Sequence, residues 1–185
     1  KEDFGGSQYT SARLTSKFKG DWKYGRIQSR VKLANGLAKG TWAAVWMLPT
    51  YWRYGGWPES GEIDIMEHVG YDPGRIHGTV HTEAFNHIKA TQDGGDIMAN
   101  SNEWHIHEIR WDEDKIEFIL DDFRFHTFYR RPQASFQEWP FDEEFHIILN
   151  MAVGGTWGGS QGIDVPAFEG DGQVMEVDWV RVYSQ

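Results

Sequence analysis

Short stretches of alternating or continuous apolar residues, separated by glycine-rich and acidic turns, run along the chain. From Tyr24 to Leu33, Ile27, Val31 and Leu33 fall on one side, and Arg26, Gln28, Arg30 and Lys32 on the other. That is the pattern of a strand with one wet face. Residues 8–18 read as a preceding strand, with a turn at Gly20-Asp21. Asn35-Gly36 and Lys39-Gly40 break the pattern, and a nearly continuous apolar run from Trp42 to Leu48 predicts a central strand with Trp42 and Trp46 on one face. Arg75 to Thr82 is a further strand, with Ile76, Gly78, Val80 and Thr82 opposing His77, Thr79 and His81. Residues 83–102 have no clean period and read as a surface loop, with Asp93-Gly94-Gly95-Asp96 as its tightest break. A meander follows: strands over 103–111, 115–120 and 123–130, separated by acidic turns. Residues 132–143 hold the single credible helical turn. A buried strand over 144–153, a glycine-rich loop around Trp157 and a closing strand over 173–183 complete the chain. Nine or ten strands with short turns and no βαβ alternation predict an all-β fold. The expected architecture is a two-sheet antiparallel β-sandwich of the jelly-roll kind, one domain over 1–185, with a long groove on its concave face.

The stretch Ser60 to Gly70 departs from this regularity. Glu62, Asp64 and Glu67 are interleaved with Ile63, Ile65, Met66 and Val69. On a strand, Glu62 and Asp64 share a face, but position 66 should join them and holds Met66. One extra residue, a β-bulge at Ile65–Met66, puts Glu67 beside the other two acids. A helix scatters the three round its axis. Three carboxylates on one strand face raise one another's pKa values. A solvated acidic face or a calcium site are the plainer readings, but the bracketing Ile and Met indicate a packed strand.

Composition narrows the chemistry. Ten Trp, seven Tyr and eleven Phe exceed what a core of 185 residues needs, which points to flat stacking surfaces for sugars or bases. The net charge of −10 argues against nucleic acid, whose phosphates call for Lys and Arg, and less strongly against sulfated polysaccharides. A neutral polymer fits best. The absence of cysteine removes disulfides, thiolate metal sites and thiol catalysis. No apolar stretch approaches the ~18 residues of a membrane span.

Two carboxyl groups flanking a bond are what glycoside hydrolysis requires, one protonated and one ionised. Glu62 and Glu67 lie on one strand with their Cα atoms about 13 Å apart by pleat count. Side chains leaning together approach the ~5–5.5 Å of a retaining pair, and Asp64 between them leaves little room for the water of an inverting site. Which glutamate has which role stays open on this reading. The loop over 49–61, with Trp52, Arg53, Tyr54 and Trp57, has more aromatics than loop anchoring needs and reads as a sugar platform beside the acids. One histidine of the 75–82 strand is expected near them.

The motif Glu62-Ile63-Asp64-Ile65-Met66-Glu67 resembles the Glu-x-Asp-x-x-Glu signature of glycoside hydrolase family 16 in its β-bulge form, as in laminarinases, agarases and carrageenases. Further segments are similar to laminarinase-type members: Tyr9 to Leu14, Tyr24-Gly25-Arg26, Gly40-Thr41-Trp42, Trp46 to Pro49, His77 to Thr82, Leu149 to Gly155 and Val177 to Tyr183. The resemblance implies a concanavalin A-like jelly roll and a retaining double displacement. Glu62 would be the nucleophile, Asp64 its hydrogen-bonding partner and Glu67 the general acid/base. Trp46, Trp57 and Trp157 match cleft aromatics, with Arg53 and His81 as cleft polar groups. Asp178 matches a ligand of a structural calcium; catalysis itself implies no cofactor.

The resemblance further implies an endo-β-1,3-glucanase acting on laminarin-type glucan. Agar, porphyran or mixed-linkage glucan are the alternative substrates, and a non-catalytic glucan-binding lectin is the alternative of another class. Family domains usually begin some tens of residues before the Tyr9-to-Leu14 strand. The expectation is therefore a sandwich without its N-terminal strands, with unpaired backbone at an edge and without the backbone calcium ligands that segment would supply. A monomer, secreted or at the cell surface, is expected, because the polymer cannot enter a cell intact.

Overall fold

The computed structural model describes residues 4–184. Twelve strands build two antiparallel sheets among the described residues. In chain order these are β1 (Arg13–Thr15), β2 (Asp21–Trp22), β3 (Gly25–Leu33), β4 (Thr41–Pro49), β5 (Glu62–Val69), β6 (Arg75–His81), β7 (Asp93–Met98), β8 (His105–Trp111), β9 (Lys115–Leu120), β10 (Phe123–Tyr129), β11 (Phe145–Val153) and β12 (Met175–Tyr183). The larger sheet runs β1-β11-β4-β5-β6-β7, with β2 also paired to β11; the smaller runs β10-β9-β8-β3-β12. No helix is long and apolar enough to cross a membrane.

The alternation does what it predicts. Along β3 every second residue from Gly25 to Leu33 is buried. On β4, Ala43, Val45 and Met47 enter the core, so Trp42, Ala44, Trp46 and Leu48 project from the opposite face. Trp111, Phe118, Phe141 and Phe145 fill the space between the sheets. Between β1 and β11 on one side and β12 on the other, Leu149, Met151, Val177, Val180 and Val182 pack on the core while only half-buried. Leu14 on the edge strand β1 is exposed.

Three expectations fail for physical reasons. The 83–102 segment contains β7, whose Gly94 and Gly95 pair with Thr79 and Gly78 of β6. These glycines serve close approach, since a Cβ on Gly94 would stand 2.6 Å from the Gly78 carbonyl oxygen, and one on Gly95 2.9 Å from His126 Cβ. Read as a turn, they hid a strand. The strand expected over 8–18 forms only at Arg13–Thr15. Residues 132–143 form turns without a helix, and the helical pieces are instead 3-10 turns at Ala34–Gly36 and Val165–Phe168.

Two histidines inside the sandwich make the fold acid-sensitive. Burial, with His77 nearby, holds His68 on β5 down at about 4. Burial, with His105 and His68 nearby, holds His107 on β8 down at about 3. The unfolded chain takes up these protons near pH 6.5, and the folded chain does not. Their contribution to stability is therefore full above about pH 6.5 and falls by roughly 2 kcal/mol per histidine between pH 6.5 and 5. The expected result is a urea midpoint whose change from pH 6.5 to 5 is less destabilising in His107→Gln than in the wild type. Parallel curves for the two proteins would exclude His107 as a source.

Candidate active site

The register of β5 settles the parity problem. Asp64 pairs with Trp46 of β4 and Met66 with Val45, so Ile65 is the extra residue. On the other flank Asp64 pairs with Thr79 and Glu67 with His77, leaving Ile65 and Met66 opposite a single residue of β6. Ile65 and Met66 both enter the core. Glu67 is thereby returned to the face of Glu62 and Asp64, and all three acids line one cleft on the outer face of the larger sheet.

Entry to β5 is fixed by Ser60 and Gly61. Ser60 Oγ donates to the Gly55 carbonyl at 2.8 Å and accepts from the Tyr54 amide at 3.1 Å, pinning the aromatic loop. Gly61 adopts φ +87°, and a Cβ there would meet Pro140 at 2.8 Å.

The cleft has a volume of about 430 Å³. Trp42, Trp46, Trp52 and Trp57 stand along it with the three acids. Ala44 lies directly across from Glu67, a small residue that keeps the floor open. Trp42 Nε1 donates to Glu67 Oε1 at 2.8 Å, and Trp46 Nε1 to Asn150 Oδ1 at 2.7 Å. The Arg13 guanidinium sits 4.8 Å from the Trp46 ring centroid. His81, across from Glu62 in the register, places Nε2 3.3 Å from Asp64 Oδ2 and 3.8 Å from Glu62 Oε1. The 3.3 Å approach lies off a hydrogen-bonding line, and Asp64 Oδ2 has no hydrogen-bond partner among the described residues.

Burial pushes all three acids upward. Glu62 stands well above the usual range through burial and the Asp64 charge, opposed by His81 and a hydrogen bond from Trp57. Asp64 stands well above it through burial and the Glu67 charge. Glu67 is raised by burial but restrained by the Trp42 indole and His81. His81 is itself held low by burial, against the pull of Glu62 and Glu67, and is neutral at pH 7. The three acids cannot ionise together. Asp64, the most deeply buried, is penalised for ionising chiefly by that burial. Glu62, with a side chain 14% exposed, has the readiest access to the cleft.

Other residues singled out in the sequence fall at different distances from this centre. Trp52 and Trp57 line the cleft, and Trp57 also packs 4.9 Å from His87 and 5.9 Å from His81, centroid to centroid. Trp157 packs edge-on against Trp42 at 5.4 Å and His77 at 5.0 Å, buttressing the cleft end without joining its lining. Arg53 is turned to Glu143 at 3.0 Å and is not in the lining. Asp178 accepts from Arg30 at 2.6 Å. Among the described residues Asp178 joins no group of three or more His, Asp or Glu side chains that could hold a metal ion.

Sequence reasoning missed Arg13, Asn150 and His87 as cleft residues. Asn150 and Arg13 carried a signal, being paired residues on β11 and β1 within segments that stood out. His87 carried none, because it lies in the stretch without a period.

Paired acids under indole rings on the face of a β-sandwich define a carbohydrate-active protein. The chain belongs to the glycosyl hydrolases family 16, whose profile matches residues 3–181. It is 46% identical over 190 residues to a β-glucanase of Rhodothermus marinus, covering 98% of this chain and 65% of that one. It is 36% identical over 192 residues to glucan endo-1,3-beta-glucosidase A1 of Niallia circulans, covering 97% of this chain and 27% of that one. The fold superposes on the X-ray structure of the laminarinase from Rhodothermus marinus with a TM-score of 0.92 at 47% identity, over 98% of this chain and 74% of that one. The chain thus spans less than two thirds of the first two relatives' length.

Proposed function

We propose that the protein is a retaining endo-glycosidase that cuts internal β-1,3-glucosidic bonds of laminarin-type glucan. The observation that carries this reading is the bulge at Ile65–Met66, which sets Glu62 and Glu67 on one face of β5 in a cleft walled by indoles. Glu62 attacks the anomeric carbon, and the bond to the leaving oxygen breaks as Glu67 delivers its proton. Water, deprotonated by Glu67, then displaces Glu62 from the sugar. Asp64 keeps its proton and donates it as a hydrogen bond to the Glu62 carboxylate, which favours the ionised nucleophile against the burial that raises its pKa, while Glu67, also raised by burial, holds the proton it delivers. His81 supports this arrangement from β6. Trp42 fixes the Glu67 carboxyl through its indole N–H. Trp46, Trp52 and Trp57 stack on glucosyl rings, and Arg13, Asn150 and His87 supply hydroxyl partners.

The substrate reading follows from the wall chemistry. A neutral glucan needs stacking and hydroxyl hydrogen bonds, and among the described residues Arg13 is the one Lys or Arg in the lining. Its guanidinium lies over Trp46. A sulfated polymer calls for more. A polymer of this size does not enter a cell intact, which supports an activity outside the cell or at its surface, and the protein is proposed to act there as a monomer. The test is a reducing-sugar assay on laminarin, lichenan, agarose and κ-carrageenan, with product sizes read by chromatography. Release chiefly from laminarin, as short oligosaccharides from the outset, is expected. Release chiefly from agarose would overturn the substrate, and binding of laminarin without release would favour a lectin.

A further inference from the structure

We infer that Glu62, Asp64 and His81 also form a binding site for a borderline divalent cation, zinc foremost, which competes with the polysaccharide for the cleft. One donor atom from each lies within 4.8 Å of the others. His81 Nε2 is 3.3 Å from Asp64 Oδ2 and 3.8 Å from Glu62 Oε1. Tetrahedral ligands about 2.0–2.1 Å from zinc stand roughly 3.3 Å apart, so small side-chain rotations complete a three-ligand face. Asp64 is an independent sign. Its residue is 3% exposed, yet its Oδ2, the atom turned to His81, is buried without a hydrogen-bond partner among the described residues. A buried oxygen of this kind is costly unless something satisfies it. No Lys or Arg among the described residues is ion-paired with Glu62, Asp64 or Glu67.

The donor set selects the ion. One imidazole nitrogen and two carboxylate oxygens suit zinc, copper or nickel. Calcium asks for six to eight oxygens and magnesium for an octahedron of oxygens with several waters, and neither is offered here. Glu67 stands apart, bonded to the Trp42 indole, and leaves the fourth position of the ion open to the cleft. An ion held in this way occupies the Glu62 oxygen that attacks the sugar. The binding site itself stands on geometry alone; its effect on hydrolysis rests on the function proposed above.

The test is calorimetric titration of zinc into tag-free protein, in parallel with visible spectra of the cobalt form. One saturable site per chain is expected, with magnesium and calcium giving no comparable heat. His81→Ala and Asp64→Asn should each weaken zinc by at least about tenfold, with folding checked by circular dichroism; if one does not fold, the other decides. Glu67→Gln should bind zinc as the wild type does even though its hydrolysis fails, which separates the ion site from the catalytic reading. A laminari-oligosaccharide that binds should displace the ion, and zinc should inhibit the wild type reversibly, with EDTA restoring activity. Equal zinc affinity in the two ligand variants, no saturable site, or unchanged zinc affinity under a bound oligosaccharide would each overturn the inference.

Discussion

Glu62→Ser lowers laminarin hydrolysis by about 10⁴-fold or more while glucan binding persists and the fold gains stability. The first effect follows from removing the group that forms the covalent intermediate, for which no neighbour substitutes. Asp64 is buried and turned to His81, and Glu67 is tied to Trp42. Binding persists because the indoles that hold the polymer stand on β4 and in the 49–61 loop, independent of Glu62. The gain in stability is the less obvious part. Burial above all raises the Glu62 pKa, which means that its ionised form is penalised in the folded state. Serine removes that penalty, with an expected gain of about 1–2 kcal/mol near neutral pH. Kinetics on laminarin, affinity electrophoresis in a glucan gel and a thermal melt read the three effects. An inactive variant that also melts lower would assign Glu62 a structural role.

Glu67→Gln separates the two steps of the reaction. On laminarin, loss of the proton donor lowers kcat by about 10²–10⁴-fold. An aryl β-glucoside with an acidic phenol needs little help to leave, so its first step survives and the glycosyl-enzyme accumulates for want of a base. Azide, which needs no base, then restores turnover and gives a β-glycosyl azide. The same variant loses the bond from Trp42 Nε1 only in part, because the Gln amide oxygen still accepts it. A uniform loss on both substrates with no azide effect would mean that Glu67 positions the substrate without handling protons.

The site was legible in the sequence because it violates a pattern. Ile63 and Ile65 establish a strand, Met66 breaks its parity, and one extra residue restores Glu67 to the acid face. The register of β4, β5 and β6 shows that residue. The strands β3 and β6 were legible because burial on one face writes itself as a period of two, and β4 because it is a nearly continuous apolar run. The strand β7 was not. Its Asp-Gly-Gly-Asp run is written in residues that ordinarily make turns, and only the approach of Gly94 to the Gly78 carbonyl explains them. Arg53 had the right neighbours in sequence, but Glu143, ninety positions on, supplies its partner. His87 became visible only with the loop that carries it against Trp57. Asp178 had only its family position to mark it, and in the structure its carboxylate accepts from Arg30 on the neighbouring strand.

Retention by a Glu62–Glu67 pair is tested most directly by the anomer that forms first. Proton NMR of laminarin during the first minutes of hydrolysis by the wild-type protein reads the new reducing end before mutarotation mixes it. Two successive displacements at the anomeric carbon give the β anomer first, with the α anomer rising later to equilibrium. The α anomer first would mean a single displacement by water, and Glu62 would not be the nucleophile.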